Sequence, residues 1–81
     1  MRLDKYLKVS RIIERRTVAN EACDAGRVTV NDKPAKASYD VKVGDKINLR
    51  LGNREFEIEV VSINEYVKKE DASSMYNVLK Q

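Results

Sequence analysis

The sequence predicts an α+β domain: two N-terminal helices packed on a small, mostly antiparallel β-sheet, followed by a C-terminal helix. Apolar residues at helical spacing near the N-terminus indicate the first helix. Strict alternation of polar and apolar residues over 46–51 and 54–60 indicates a hairpin, because the intervening Gly52-Asn53 suits a two-residue turn. Helical spacing returns near the end of the chain, at Ala72, Met75, Tyr76 and Leu79.

The first helix is predicted over residues 3–9. Leu3, Tyr6 and Leu7 fall at i, i+3 and i+4, which places them on one face. Basic residues recur on the opposite side of this helix, so its two faces differ in chemistry. A basic connector follows over residues 10–16, and Ile12 and Ile13 are expected to hold it against the core.

The second helix is predicted to begin at Thr17, whose hydroxyl can accept from the free N–H groups of a first helical turn. Val18, Ala22 and Cys23 form its expected inner face. Gly26 is expected to end it, since glycine adopts the left-handed conformation at low cost.

The strands follow from alternation and turn chemistry. Residues 27–30 alternate and are predicted to form a strand, residues 31–34 carry the Asn, Asp and Pro of a turn, and Gly44-Asp45 forms a second turn. In the hairpin the outer faces are expected to set opposite charges against each other, which favours one register. These side chains are Lys46, Asn48 and Arg50 against Glu55, Glu57 and Glu59.

Composition narrows the function. The chain has 81 residues, a net charge of +3, no His and one Cys. One small domain with these residues offers no thiolate metal cage and no intramolecular disulfide, so no metal, cofactor or catalytic residue is predicted. The N-terminus lacks the apolar run of a secretory signal, and no segment is long enough to span a membrane. We therefore expect a cytoplasmic, non-enzymatic protein without a membrane partner.

Positive charge is concentrated at the N-terminus. Asp4 and Glu14 are the acidic residues among the first 20, against six basic ones: Arg2, Lys5, Lys8, Arg11, Arg15 and Arg16. Arg15 and Arg16 also precede the predicted second helix, and a helix N-terminus favours anions. Spaced cations on a rigid helical pair suit duplex RNA, which is recognised through phosphates, 2′-hydroxyls and shape.

The residues also resemble a known family. Five segments carry the resemblance, in order along residues 1–51. They are Arg2-Leu3-Asp4-Lys5-Tyr6-Leu7, Ser10-Arg11, Arg15-Arg16-Thr17-Val18-Ala19, Gly26-Arg27-Val28-Thr29-Val30-Asn31 and Val43-Gly44-Asp45. This pattern resembles the S4-type RNA-binding domain with its αL motif. The length and the tail from Lys68 to Lys80 are similar to stand-alone members of the RqcP and heat-shock protein fifteen group. The expected organisation is an S4-type domain over residues 1–63 and a linker and helix over 64–81.

The resemblance implies a role in ribosome-associated quality control. Members of this group bind the 50S subunit that still carries peptidyl-tRNA, contact 23S rRNA and P-site tRNA, and support alanine tailing by RqcH. By motif position the RNA-binding residues are Arg2, Lys5, Arg11, Arg15 and Arg16, and Thr17 beside them is included among the predicted RNA-binding residues. We add Lys8 from its place on the basic face. Asp4 is expected to orient neighbouring arginines, and Glu14 departs from the family by placing an acid in the connector.

Other functions stay open. The chain could act in assembly of the large subunit, could use the C-terminal helix as a protein-interaction adaptor, or could deliver RNA to an enzyme in trans. A monomer is expected, because nothing in the sequence requires a dimer.

Overall fold

A computed structural model describes residues 1–80, in which apolar side chains from two helices pack on one face of a five-stranded antiparallel sheet. Helix α1 spans Leu3–Val9 and α2 spans Arg16–Asp24. The strands are β1 (Val28–Val30), β2 (Lys33–Pro34), β3 (Lys46–Leu51), β4 (Arg54–Val60) and β5 (Tyr76–Lys80), in the sheet order β2-β1-β3-β4-β5. A 3-10 helix over Lys69–Met75 precedes β5. The predicted α+β class is confirmed, and none of the helices described is long and apolar enough to cross a membrane.

Helix α1 forms as predicted, and Leu3, Tyr6 and Leu7 are fully buried. The start of α2 differs from the prediction. The helix begins at Arg16 with Arg15 as its N-cap, because the Ala19 amide already donates to the Arg15 carbonyl at 3.1 Å. Thr17 therefore lies in the first turn and is not the N-cap.

The inner face of α2 was also predicted wrongly in one position. Ala19, Ala22 and Cys23 are buried, whereas Val18 is 43% exposed. Val18 and Ala19 are both at helical spacing from the Ala22 and Cys23 pair. The prediction chose Val18 because it is the more hydrophobic of the two. The smaller Ala19 is completely buried, which lets α2 lie close to the rest of the core. The left-handed Gly26 beyond the C-terminus of α2 is confirmed, with φ at 74°.

The hairpin has the predicted register. Lys46 pairs with Glu59, Asn48 with Glu57 and Arg50 with Glu55, which places the opposite charges on the outer face. The turn after β1 is shorter than expected: Asn31 and Asp32 take positive φ values of 52° and 68°, and the two residues after them already form β2. Short polar side chains tolerate this conformation better than others do.

The tail packs on the domain, but only part of it is helical. The prediction of a helix holds for Lys69–Met75, as a 3-10 helix, and is wrong for Tyr76 and Leu79, which lie in β5. Tyr76 pairs with Val60 and Val78 with Ile58, so β5 satisfies the free edge of β4. The few apolar residues of the tail are compatible with both helical and strand periodicity. The free edge of β4 favours the strand, because β5 can pair with it. Gln81, the last residue of the predicted tail, lies outside the described residues.

Candidate RNA interface

The buried carboxylate of Asp4 contacts side chains at the N-terminal ends of both helices. Asp4 is almost fully buried in the first turn of α1, and Arg2 Nε lies 3.2 Å from its Oδ1. Arg16 Nε at the start of α2 lies 3.3 Å from Oδ2, and Asn20 Nδ2, one turn further along, donates to Oδ2 at 3.4 Å. The Lys5 amide completes the set at 2.8 Å from Oδ1. We call Arg2, Asp4, Arg16 and Asn20 the Asp4 cluster.

The cluster keeps Asp4 ionised. Burial raises the pKa of the carboxyl, but hydrogen bonds from Arg16, Asn20, Arg2 and the Lys5 amide outweigh that effect, and the pKa lies below its ordinary value. The arginine side chains themselves stay about half exposed, 52% for Arg2 and 46% for Arg16. The buried acid thus holds two guanidinium groups side by side at the surface, as expected for an orienting residue.

The remaining cations of α1 have different environments. Lys5 Nζ forms an ion pair with Glu65 of the tail at 2.9 Å, and this hydrogen bond lowers the pKa of Glu65 below its ordinary value. Lys8 is exposed in the last turn of α1 and has no ion pair with any carboxylate of residues 1–80. The basic face of α1 therefore includes one cation with an acidic partner from the tail.

The connector carries two further exposed arginines. Arg11 follows the C-cap of α1 with φ at 62°, a left-handed conformation that is uncommon for a residue with a side chain. Arg15 is the N-cap of α2, and Thr17 is exposed in the first turn. Neither arginine reaches a carboxylate within the described chain. Ile13 is buried and Ile12 is partly buried, so both hold the connector against the core as predicted.

The sequence interpretation missed Asn20, which belongs to the Asp4 cluster because it lies one helical turn after Arg16. That spacing was readable once α2 was known to start at Arg16. A similar network around Asp45 was also missed: this nearly buried carboxylate accepts from Tyr39 Oη at 2.8 Å and Asn31 Nδ2 at 3.1 Å. It joins the turn after β1 to the loop before β3 and adds no cation to the interface.

The single cysteine of the chain lies near the Asp4 cluster. Cys23 is buried, and its burial, together with the nearby charges of Asp4 and Asp24, raises the pKa of the thiol to about 11. Such a thiol stays protonated at neutral pH and is a poor nucleophile. Over residues 1–80, no three His, Cys, Asp or Glu side chains come together in a way that could hold a metal ion.

Comparisons with known proteins agree with the geometry. The family model for the "S4 domain" matches residues 1–47. The "RQC P-site tRNA stabilizing factor" of Streptococcus pneumoniae is 52% identical over 81 residues, covering 100% of this chain and 92% of that protein. The protein of the same name from Bacillus subtilis is 49% identical, with 100% and 94% covered. The trimeric structure of Vibrio cholerae Heat Shock Protein 15 superposes with a TM-score of 0.89 at 32% identity, covering 96% of this chain and 80% of that one.

Proposed function

The chain belongs to the S4 domain family, and we propose that it is a non-enzymatic RNA-binding factor of ribosome-associated quality control. The observation that carries this proposal is the Asp4 cluster, which presents the guanidinium groups of Arg2 and Arg16 together on the surface. The names of the full-length relatives, which refer to P-site tRNA, support the ribosomal setting.

The contact with RNA is electrostatic and steric. Phosphate groups are recognised by guanidinium forks and by the N–H groups of helix starts. The proposed contact residues are Arg2, Lys5, Lys8, Arg11, Arg15, Arg16 and Thr17. Asp4 orders the Arg2 and Arg16 side chains before RNA binds. Less side-chain entropy is therefore lost when the complex forms. A rigid cationic surface of this kind favours a structured duplex over a flexible single strand.

The finer proposal concerns the particle. We propose that the protein binds a 50S subunit bearing peptidyl-tRNA after a stalled ribosome has split, bridges 23S rRNA and P-site tRNA, and thereby supports alanine tailing by an RqcH-type protein. A factor that touches two RNAs at once gains affinity only when both are present. This predicts stronger binding to tRNA-bearing subunits than to vacant ones.

Sucrose-gradient sedimentation of a cell lysate tests the proposal, with immunoblotting for the protein and sequencing of the tRNA in its fractions. Migration with free large subunits enriched in peptidyl-tRNA is the expected result. Equal binding to vacant subunits would favour a role in subunit assembly. Migration at the top of the gradient, away from all ribosomal particles, would refute the ribosomal role. Light scattering on the purified protein tests the predicted monomer.

A further inference from the structure

The helical layer is shorter than the sheet it covers. Towards one end of the sheet the inner face is fully buried, at Ile47, Leu49, Ile58 and Val60. Towards the hairpin turn, the inner-face residues are only partly covered. They form the floor of a shallow groove of about 600 Å³, and Ile12 of the connector forms a wall. The apolar groove residues are Leu51 and Phe56 near the hairpin turn, Val78 and Tyr76 on the neighbouring strand β5, which pair further along β4, and Ile12. We call this depression the hairpin groove.

Arg54 lines the hairpin groove, and Arg11 is the sequence neighbour of its lining residue Ile12. The pairing of Leu51 with Arg54 places Arg54 on the groove side of the sheet. Within the part of the chain that the structure describes, neither arginine has a carboxylate within ion-pair distance. Glu55 also lines the groove, but its carboxylate is shared between Arg50 at 3.7 Å and Lys80 at 3.6 Å. The local balance favours an anionic ligand.

We propose that the hairpin groove binds one unpaired nucleotide of the RNA partner, with its base against Phe56 and its phosphates near Arg11 and Arg54. The proposal rests on the RNA-binding function proposed above and extends it from phosphate contacts to a base contact. Unpaired bases are recognised by stacking on aromatic side chains, with cations holding the backbone. An apolar side chain of a protein would also fill the groove, but it would leave both arginines without a partner.

The position of the groove makes one continuous surface with the phosphate contacts. Ile12 lies between Arg11 and Ile13 in the connector that joins the two basic helices. An RNA strand on the helices therefore reaches the groove across a few residues of the connector. The predicted ligand is a structured RNA with a bulged or terminal unpaired nucleotide.

NMR spectroscopy of the full chain, labelled at amides and methyl groups, tests the groove directly. The probes are hexa-adenylate, hexa-uridylate and a blunt 12-base-pair RNA duplex. We expect the hexamers to shift the methyl signals of Ile12, Leu51 and Val78, and the duplex to shift only signals of the helices. Hexamers that move only the helix signals, or no signals, would overturn the groove proposal. Groove signals that respond to RNA-free ribosomal proteins but to none of the three RNAs would assign the groove to a protein partner and also overturn the proposal.

Paired variants separate the groove from the fold. Arg54→Ala is expected to lower the salt dependence of hexamer binding by about 0.7, the value for one phosphate contact in single strands. Lys46→Ala on the outer face of the same hairpin is the matched control and should leave it unchanged, because Lys46 pairs with Glu59 away from the groove. Phe56→Leu should weaken hexamer binding at least about fivefold while duplex binding is kept. If Phe56→Leu fails to fold, Arg54→Ala alone decides, since an unchanged salt dependence would refute the phosphate contact.

The groove proposal and the proposed function fail in different ways. A Phe56→Leu protein that still migrates with large subunits, and binds hexamers as the unaltered chain does, would remove the groove and leave the function intact. Loss of the unaltered protein from all ribosomal fractions would remove the function itself, whatever the hexamers show.

Discussion

Replacing Arg11 with Gly should stabilise the fold and weaken RNA binding at the same time. Arg11 has φ at 62°, and its side chain is exposed. A left-handed conformation costs about 1–2 kcal/mol for a residue with a Cβ atom. Glycine removes that cost but adds about 0.4–1 kcal/mol of chain entropy in the unfolded state. The net effect on the free energy of unfolding is therefore an increase of about 1 kcal/mol, or about 4–8 °C in Tm for a domain of this size.

Arg11→Ala is the matched control, because it removes the same charge but keeps the strained backbone. Thermal and urea unfolding should show Arg11→Gly more stable than Arg11→Ala. Fluorescence anisotropy with a labelled duplex at several salt concentrations should show the same loss in both, with a salt slope smaller by about 0.9. A less stable Gly variant would mean that the Arg11 side chain holds the connector. Unchanged binding in both variants would remove Arg11 from the interface.

Three further substitutions test the surface around Asp4. Arg16→Ala should lower the salt slope of ribosome binding by about one without loss of the fold, whereas Arg50→Ala should not; a collapsed melting curve would show that Arg16 is structural. Asp4→Asn should lower the free energy of unfolding by about 1–3 kcal/mol at neutral pH. The pKa of Asp4 is lowered in the folded state, so its stabilisation is present at neutral pH and is lost as the pH falls below about 4. In urea unfolding, the free energy of unfolding of Asp4→Asn should therefore fall less in acid than that of the unaltered chain. An equal fall in both proteins would contradict this. Glu65→Gln should free Lys5 and strengthen duplex binding by anisotropy, most clearly at low salt; weaker binding would show that Glu65 positions Lys5 for RNA.

Much of the fold could be predicted because its strongest patterns are local. Helix α1 and the β3–β4 hairpin each bury one face of a regular period, and the turn residues match the turns that form. The errors occur where tertiary contacts decide. At the start of α2, Arg16 contacts the Asp4 carboxylate of α1, and the inner face of α2 depends on how closely the helix can approach the core. The end of the tail depends on the free edge of β4, which no local pattern shows.

The candidate site shows the same division. Its cations were readable as a sequence pattern, since six basic residues crowd the first 20 positions. Their arrangement was only partly readable. Asp4 was expected to orient arginines from its place between them, but the inclusion of Asn20 required the true start of α2. The hairpin groove arises because the helices are shorter than the sheet, a property of the packed layers rather than of any segment.

The tail is bonded to helix α1, which carries proposed RNA contacts, and this changes how an adaptor function can be tested. Tyr6 Oη of α1 donates to the Met75 carbonyl at 2.9 Å, and Lys5 on the same helix pairs with Glu65. Met75 itself is 1% exposed, so deletion of the tail would open the core and disturb α1 together with any partner site. A deletion therefore cannot separate RNA binding from protein binding. Substitution of Leu79, which is 46% exposed on the edge strand β5, leaves the core intact and makes that separation possible.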